Sequence, residues 1–190
     1  MKGKILEISG ILFLIFLGVI LRLIPHPPNF APIAAIALFG GVYLTKKYFW
    51  IVPLLALFVG DYFIGSYSTR LMIAVYGSFG IISLIGLWLR NHRSLGMIIS
   101  SALVGSLLFY LITNFAVWAF SPWYPKDISG LMFSYALALP FFKNTILGDL
   151  FYVSLFFGVY ELVLNKTFLY SFFKKKSILF VSLKFDKIEE

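Results

Sequence analysis

Cysteine is absent from the 190 residues, which excludes disulfides, thiolate metal sites and cysteine nucleophiles. Charge is scarce as well: 13% of residues are Asp, Glu, Lys or Arg, against about 25% in a soluble domain, too few to cover a water-facing surface. Histidine occurs twice, as His26 and His92. No HExxH pair and no glycine-rich phosphate loop leading into a basic helix can be found. Serines beside glycine, such as Ser66 and Ser106, have no histidine on a nearby helix to activate them. The expectation is a protein that is not an enzyme and holds no cofactor or metal. What is abundant is apolar: 61% of the chain, with a mean hydropathy of +0.94. The net charge of +8 would suggest nucleic acid, but the charges fall between hydrophobic runs, so no nucleic-acid partner is expected and the lipid bilayer is the expected solvent.

The runs predict an all-α, polytopic membrane protein with six transmembrane helices. Helix 1 spans about Ile8 to Ile24 and ends at Pro25-His26-Pro27-Pro28-Asn29, since prolines and the residues before them resist helix. It is read as retained rather than as a signal peptide, because Leu21-Arg22-Leu23-Ile24-Pro25 lacks the small-residue cleavage pattern. Helix 2 runs from about Phe30 to Leu44, helix 3 from Tyr48 to Gly65, helix 4 from Leu71 to Leu89 and helix 5 from Leu95 to Phe120. Ile128 to Pro140 is apolar but too short for a core of roughly 30 Å. It is expected as a short extra helix in the loop between helices 5 and 6, lying on or dipping into the outer surface. Helix 6 then runs from about Phe141 to Leu164. This divides the chain into a six-helix transmembrane domain, 1–166, and a basic cytoplasmic tail, 167–190.

Placing both termini in the cytoplasm puts Lys2, Lys4, Lys46, Lys47, Arg90, Arg93, Lys166 and the tail lysines inside, and leaves Arg22, Arg70, Lys126 and Lys143 outside. The positive-inside rule is then met at every loop, as expected for a bacterial inner membrane. Ala31/Ala35, Ala37/Gly41 and Ser101/Gly105 have the small-xxx-small spacing that lets helices approach closely. Packing within the bundle explains these; docking of a partner along helix 2 is the sharper alternative.

Ionisable groups in hydrocarbon are costly and mark function by default. Asp61 ends helix 3, and Asp149 lies about two turns into helix 6. Glu161, near the inner end, is expected to be structural. Arg22 could clamp Asp61 or Asp149, or serve a ligand. His26 and Asn29 occupy the first outer loop, Tyr67 and Arg70 the second, and Trp123, Tyr124, Lys126 and Asp127 the third. Tyr110, Asn114 and Trp118 recur every four residues on helix 5, forming one stripe. Lys143 and Asn144 open helix 6, whose positive amino end suits an anionic or carbonyl group. Aromatic residues gather at any membrane surface, but amides within the apolar zone are not needed for anchoring. An outward-facing small-molecule site is therefore predicted from His26, Asn29, Asp61, Tyr110, Asn114, Trp118, Trp123, Tyr124, Lys143, Asn144 and Asp149. Two other readings are a secondary carrier or proton-coupled channel using Asp61 and Asp149, and a membrane assembly subunit with no ligand.

The order of features also carries a resemblance. Pro25 to Ile33 leads into Ala34-Ala35-Ile36-Ala37-Leu38-Phe39-Gly40-Gly41. Pro53 to Asp61, Thr113-Asn114-Phe115, Pro140-Phe141-Phe142-Lys143-Asn144-Thr145 and Gly148-Asp149 follow. Across about Gly18 to Leu164 this resembles a family of uncharacterised bacterial inner-membrane proteins. The layout is similar to the substrate-binding S-components of energy-coupling-factor (ECF) vitamin transporters. The resemblance implies six helices, a vitamin-like substrate bound near the outer surface beneath the loops, and toppling on docking to a transmembrane coupling protein with two ATPases. S-components dock through small residues on helix 1, whereas the patches here fall on helix 2. A cobalamin-handling subgroup uses a cobalt-ligating cysteine, which this sequence lacks.

Overall fold

The computed structural model describes residues 2–65 and 67–164. Two compact units divide the chain after Ser154, and the site described below lies wholly in the first. The proposed tail, 167–190, falls outside the described residues. The described chain is all-helical, with six helices: α1 (Lys2–Leu23), α2 (Ile33–Tyr43), α3 (Ile51–Ile64), α4 (Thr69–Leu89), α5 (Leu95–Phe120) and α6 (Ile128–Leu164). Three helical stretches are long and apolar enough to cross a membrane, namely Thr69–Leu89, Leu95–Phe120 and Ile128–Leu162. These make the chain a membrane protein. α2 and α3 are apolar but short, at 11 and 14 residues.

α1 ends where the prolines require it. Beyond Leu23 the chain enters a tight turn in which the Phe30 N–H donates to the Pro27 carbonyl at 3.0 Å. Pro28 follows at the second position and Asn29 at the third, with φ of 66°. A proline followed by a residue of positive φ is the signature of a type II turn, and asparagine tolerates that conformation better than other side-chain-bearing residues. Pro32 then caps α2 at its start. Here helix 2 loses the three residues Phe30 to Pro32 that hydropathy alone had assigned to it.

α2 is the centre of the first unit. Every residue from Ile33 to Val42 is buried. Its small residues are used inside the bundle, against α4. A Cβ on Gly86 would stand 2.6 Å from the Leu38 carbonyl oxygen, and one on Gly41 would strike the Gly86 backbone. The docking face considered on helix 2 is therefore covered by α4. Arg90, expected only as a topogenic charge, closes the far end of α2. Its guanidinium donates to the Gly41 carbonyl at 2.7 and 3.1 Å and to the Leu44 carbonyl, satisfying acceptors that a helix end leaves free.

The short extra helix between helices 5 and 6 is corrected. Residues 128–140 do not form a separate element; they are the first part of a continuous 37-residue α6 that contains Pro140. At 1.5 Å per residue this helix is about 55 Å long. Proline removes one N–H, so the Ala136 carbonyl loses its usual donor. Membrane helices tolerate this when neighbours hold the segment, and α5 does so here. The Tyr110 hydroxyl donates to the Tyr135 carbonyl at 2.7 Å, and the Tyr135 hydroxyl donates to the Leu111 carbonyl at 3.0 Å. The start of α6 is capped by Asp127, whose carboxylate accepts from the Gly130 N–H at 2.7 Å and the Ser129 hydroxyl at 2.8 Å. Both bonds favour the ionised form and hold Asp127 below the usual carboxylate range, with the Gly130 N–H contributing most.

Candidate functional site

The carboxyl ends of α1, α3 and α5 meet the amino ends of α2 and α4 at one end of the bundle, and two buried acids define the chemistry there. The first, Asp61, is fully partnered. Its Oδ1 pairs with Arg22 Nη2 at 2.6 Å, while Tyr76 donates to Oδ2 at 2.9 Å and Tyr67 more weakly at 3.4 Å. The other guanidinium nitrogen of Arg22 donates to the Leu57 carbonyl at 2.8 Å. One knot thus ties α1, α3 and α4. Gly60 permits it, because a Cβ there would lie 2.5 Å from Arg22 Nη1. Tyr67 lies in the loop before α4. Burial, then the Asp61 charge, pushes its phenol up to about 12, so it remains a neutral donor.

The second acid, Asp149, is partnered differently. It is 3% exposed, and the bond to it is from the Ser106 hydroxyl of α5, at 2.6 Å. Gly148 beside it brings α6 against Phe30, where a Cβ would meet the Phe30 Cα at 3.0 Å. Asp149 lines a cavity of about 110 Å³ together with Arg22, Asn29, Ala34, Val75, Phe79, Phe109 and Thr145, among others. A second cavity, of about 90 Å³, is lined by Asn29, Phe109, Tyr110, Thr113, Asn114, Phe142 and Thr145 with neighbouring apolar residues. Asn29, Phe109 and Thr145 belong to both, so the two hollows adjoin. The type II turn places Asn29 at both.

Of the residues expected at a site, Asn29 and Asp149 line the first cavity and Asn29, Tyr110 and Asn114 the second. The remainder stand elsewhere. Asp61 is held in the Arg22 knot. His26 is a turn residue, with Nδ1 at 2.8 Å from the Pro27 carbonyl and Nε2 at 3.2 Å from that of Arg22. The Trp118 indole donates to the Pro125 carbonyl at 2.9 Å, and Lys126 donates to the carbonyls of Trp118 and Ser121, so these side chains build the α5–α6 turn. Trp123 is 71% exposed, Tyr124 is half-buried, Lys143 is exposed and Asn144 is half-buried; none of these four is among the cavity-lining residues. Sequence reasoning missed Ser106, Thr145, Thr113 and the Phe79–Phe109 ring pair, whose centroids are 5.1 Å apart. A serine or threonine on an otherwise apolar helix was the available signal. It is weak, because such hydroxyls also bond back to their own helix, as Thr113 does to the Phe109 carbonyl.

The chain belongs to DUF6580, a family of unknown function. The family profile covers residues 4–175, and so includes both acids, the turn and every cavity-lining residue. Comparison with curated proteins returned no match. Comparison with solved structures returned none either.

Proposed function

We propose that this member of DUF6580 is a membrane-embedded binding and uptake subunit for a small vitamin-like or cofactor-precursor molecule, and not an enzyme. One observation carries the reading: two adjoining hollows, converging on Asn29, combine a buried carboxylate, a carboxamide and hydroxyls with aromatic walls. Small-molecule sites have this composition, mostly apolar with a few convergent polar groups. In the proposed arrangement the chain crosses a bacterial inner membrane six times with both termini in the cytoplasm, and the hollows lie toward the outer surface. α2, far shorter than a bilayer, fits this arrangement because protein surrounds it; irregular backbone at membrane depth is tolerated where protein buries it. The likeness to S-components extends the proposal to an ECF-type transmembrane coupling protein with two ATPases as partner. ATP chemistry would belong to that partner.

The test is purification in mild detergent, mass spectrometry of co-purified small molecules, and thermal shift across a panel of vitamins and their precursors. A bound molecule, or a shift abolished by Asn114→Ala, is the expected result. An empty protein with no shift across the panel would leave the assembly-subunit reading in its place. A proton-coupled carrier has one observation in its favour, the Asp149 carboxyl, since Asp61 is committed to Arg22. Uptake by liposomes containing this chain alone, driven by a pH gradient, would decide for it.

A further inference from the structure

We infer that the molecule held against Asp149 is a single ring carrying a protonated nitrogen; this rests on the cavity being a binding site, as proposed above. The argument starts from charge. Asp149 is buried to 3% exposure and faces the cavity. No basic side chain forms an ion pair with it among the described residues. Arg22 shares the cavity wall, but its guanidinium is spent on Asp61 Oδ1 at 2.6 Å and the Leu57 carbonyl at 2.8 Å. The Arg22–Asp61 pair is neutral as a unit, so no cation of the protein is left to balance Asp149 when it ionises.

Ser106 cannot supply the balance. Its hydroxyl has one proton and stands 2.6 Å from Asp149 Oδ2 and 3.0 Å from the Ala102 carbonyl. An ionised carboxylate accepts at about four lone-pair positions, and an unpaired charge away from water is costly. The group that completes Asp149 therefore comes from the ligand, and it is a donor with positive charge. An anionic ligand would meet like charge in a low dielectric.

Shape restricts the rest. The Phe79 and Phe109 rings form one wall, and aromatic faces attract a flat ring and a nearby cation. The volume, about 110 Å³, is somewhat smaller than the roughly 150 Å³ apolar cavity known to admit benzene. A single ring is the group nearest that volume, and a larger molecule would have to extend into the adjoining hollow of about 90 Å³. Asn29 and Thr145 remain at the edge to read a second substituent.

The experiment uses the full chain in lipid nanodiscs and three probes of one shape: benzylamine, benzyl alcohol and benzoate. Calorimetry and thermal shift should rank the amine first by about tenfold or more, the strength of one charge-assisted hydrogen bond. Asp149→Asn should erase that preference while ring binding persists, and Ala34→Phe, which fills the cavity, should abolish binding of all three. Because the ranking is read on the unmodified chain, it stands even where a variant fails to fold. Benzyl alcohol or benzoate binding as tightly as the amine overturns the charge assignment and leaves the cavity a binding site. Amine binding that survives Ala34→Phe places it elsewhere and overturns the inference. Failure of all three probes at millimolar concentration overturns the cavity reading itself.

Discussion

Asp61 and Asp149 are the same residue type, buried to 5% and 3% exposure at one end of one bundle, yet their partners differ. Asp61 has a cation at 2.6 Å and a tyrosine hydroxyl at 2.9 Å. Asp149 has a serine hydroxyl at 2.6 Å and a hollow in front of it. Burial alone therefore does not distinguish an acid with a full partner set from one with acceptor capacity to spare. The distinction matters because a satisfied ion pair has nothing left to offer a ligand, whereas an incomplete one stores an unmet demand for charge.

The largest effect should come from breaking the complete corner. Arg22→Met leaves Asp61 charged and without its cation, and thermal unfolding in detergent should show a loss of about 3–5 kcal/mol, the range for orphaning one member of a buried pair. Adding Asp61→Asn to that variant should recover part of the loss; a double variant as unstable as the sum of its parts would show that the two side chains do not act as a pair. Gly60→Ala comes next. Its Cβ would collide with the guanidinium, and overpacking of this kind costs about 1–3 kcal/mol. Combined with Arg22→Met it should cost little more, since the atom it strikes is gone.

Asp149→Asn should sit well below these. The exchange is nearly isosteric and breaks no ion pair, so stability should change by about 1 kcal/mol or less, the net worth of one hydrogen bond, while the preference for a cationic ligand disappears. A strong destabilisation, like that at Arg22, would mean that Asp149 is a structural acid and the contrast is wrong. The smallest effect belongs to Asp127 at the exposed start of α6. Its carboxyl is depressed below the ordinary 3.8 by the Gly130 N–H and the Ser129 hydroxyl. Its contribution is therefore present above that ordinary value and is lost as pH falls through the lower folded value. Protection factors of the amides in the first turn of α6 should fall below about pH 4, and Asp127→Ala should show the lower protection at all pH.

How much of this was legible follows the same physics. α4 and α5 could be read to within a residue or two, because a long apolar run flanked by charge has one solution in lipid. The α1–α2 turn was legible from Pro27-Pro28-Asn29, whose dihedral constraints are local. The continuity of α6 was not, because Pro140 reads as a break unless Tyr110 and Tyr135 are known to hold that segment against α5. Of the residues expected to bind a substrate, Asn29, Tyr110, Asn114 and Asp149 line the two hollows. Lys143, Asn144 and Trp123 were grouped with them by their expected place on the outer side, and they are not among the residues that line the hollows.

The sequence by itself determined that the secondary structure is helical and that the long apolar runs suit lipid. Those properties are sums over local composition and spacing. Tertiary structure alone decided which acid Arg22 would neutralise, because that depends on distances between helices 35 to 39 residues apart along the chain. By giving the cation to Asp61 it left Asp149 unpaired beside a cavity, and that choice creates the candidate site.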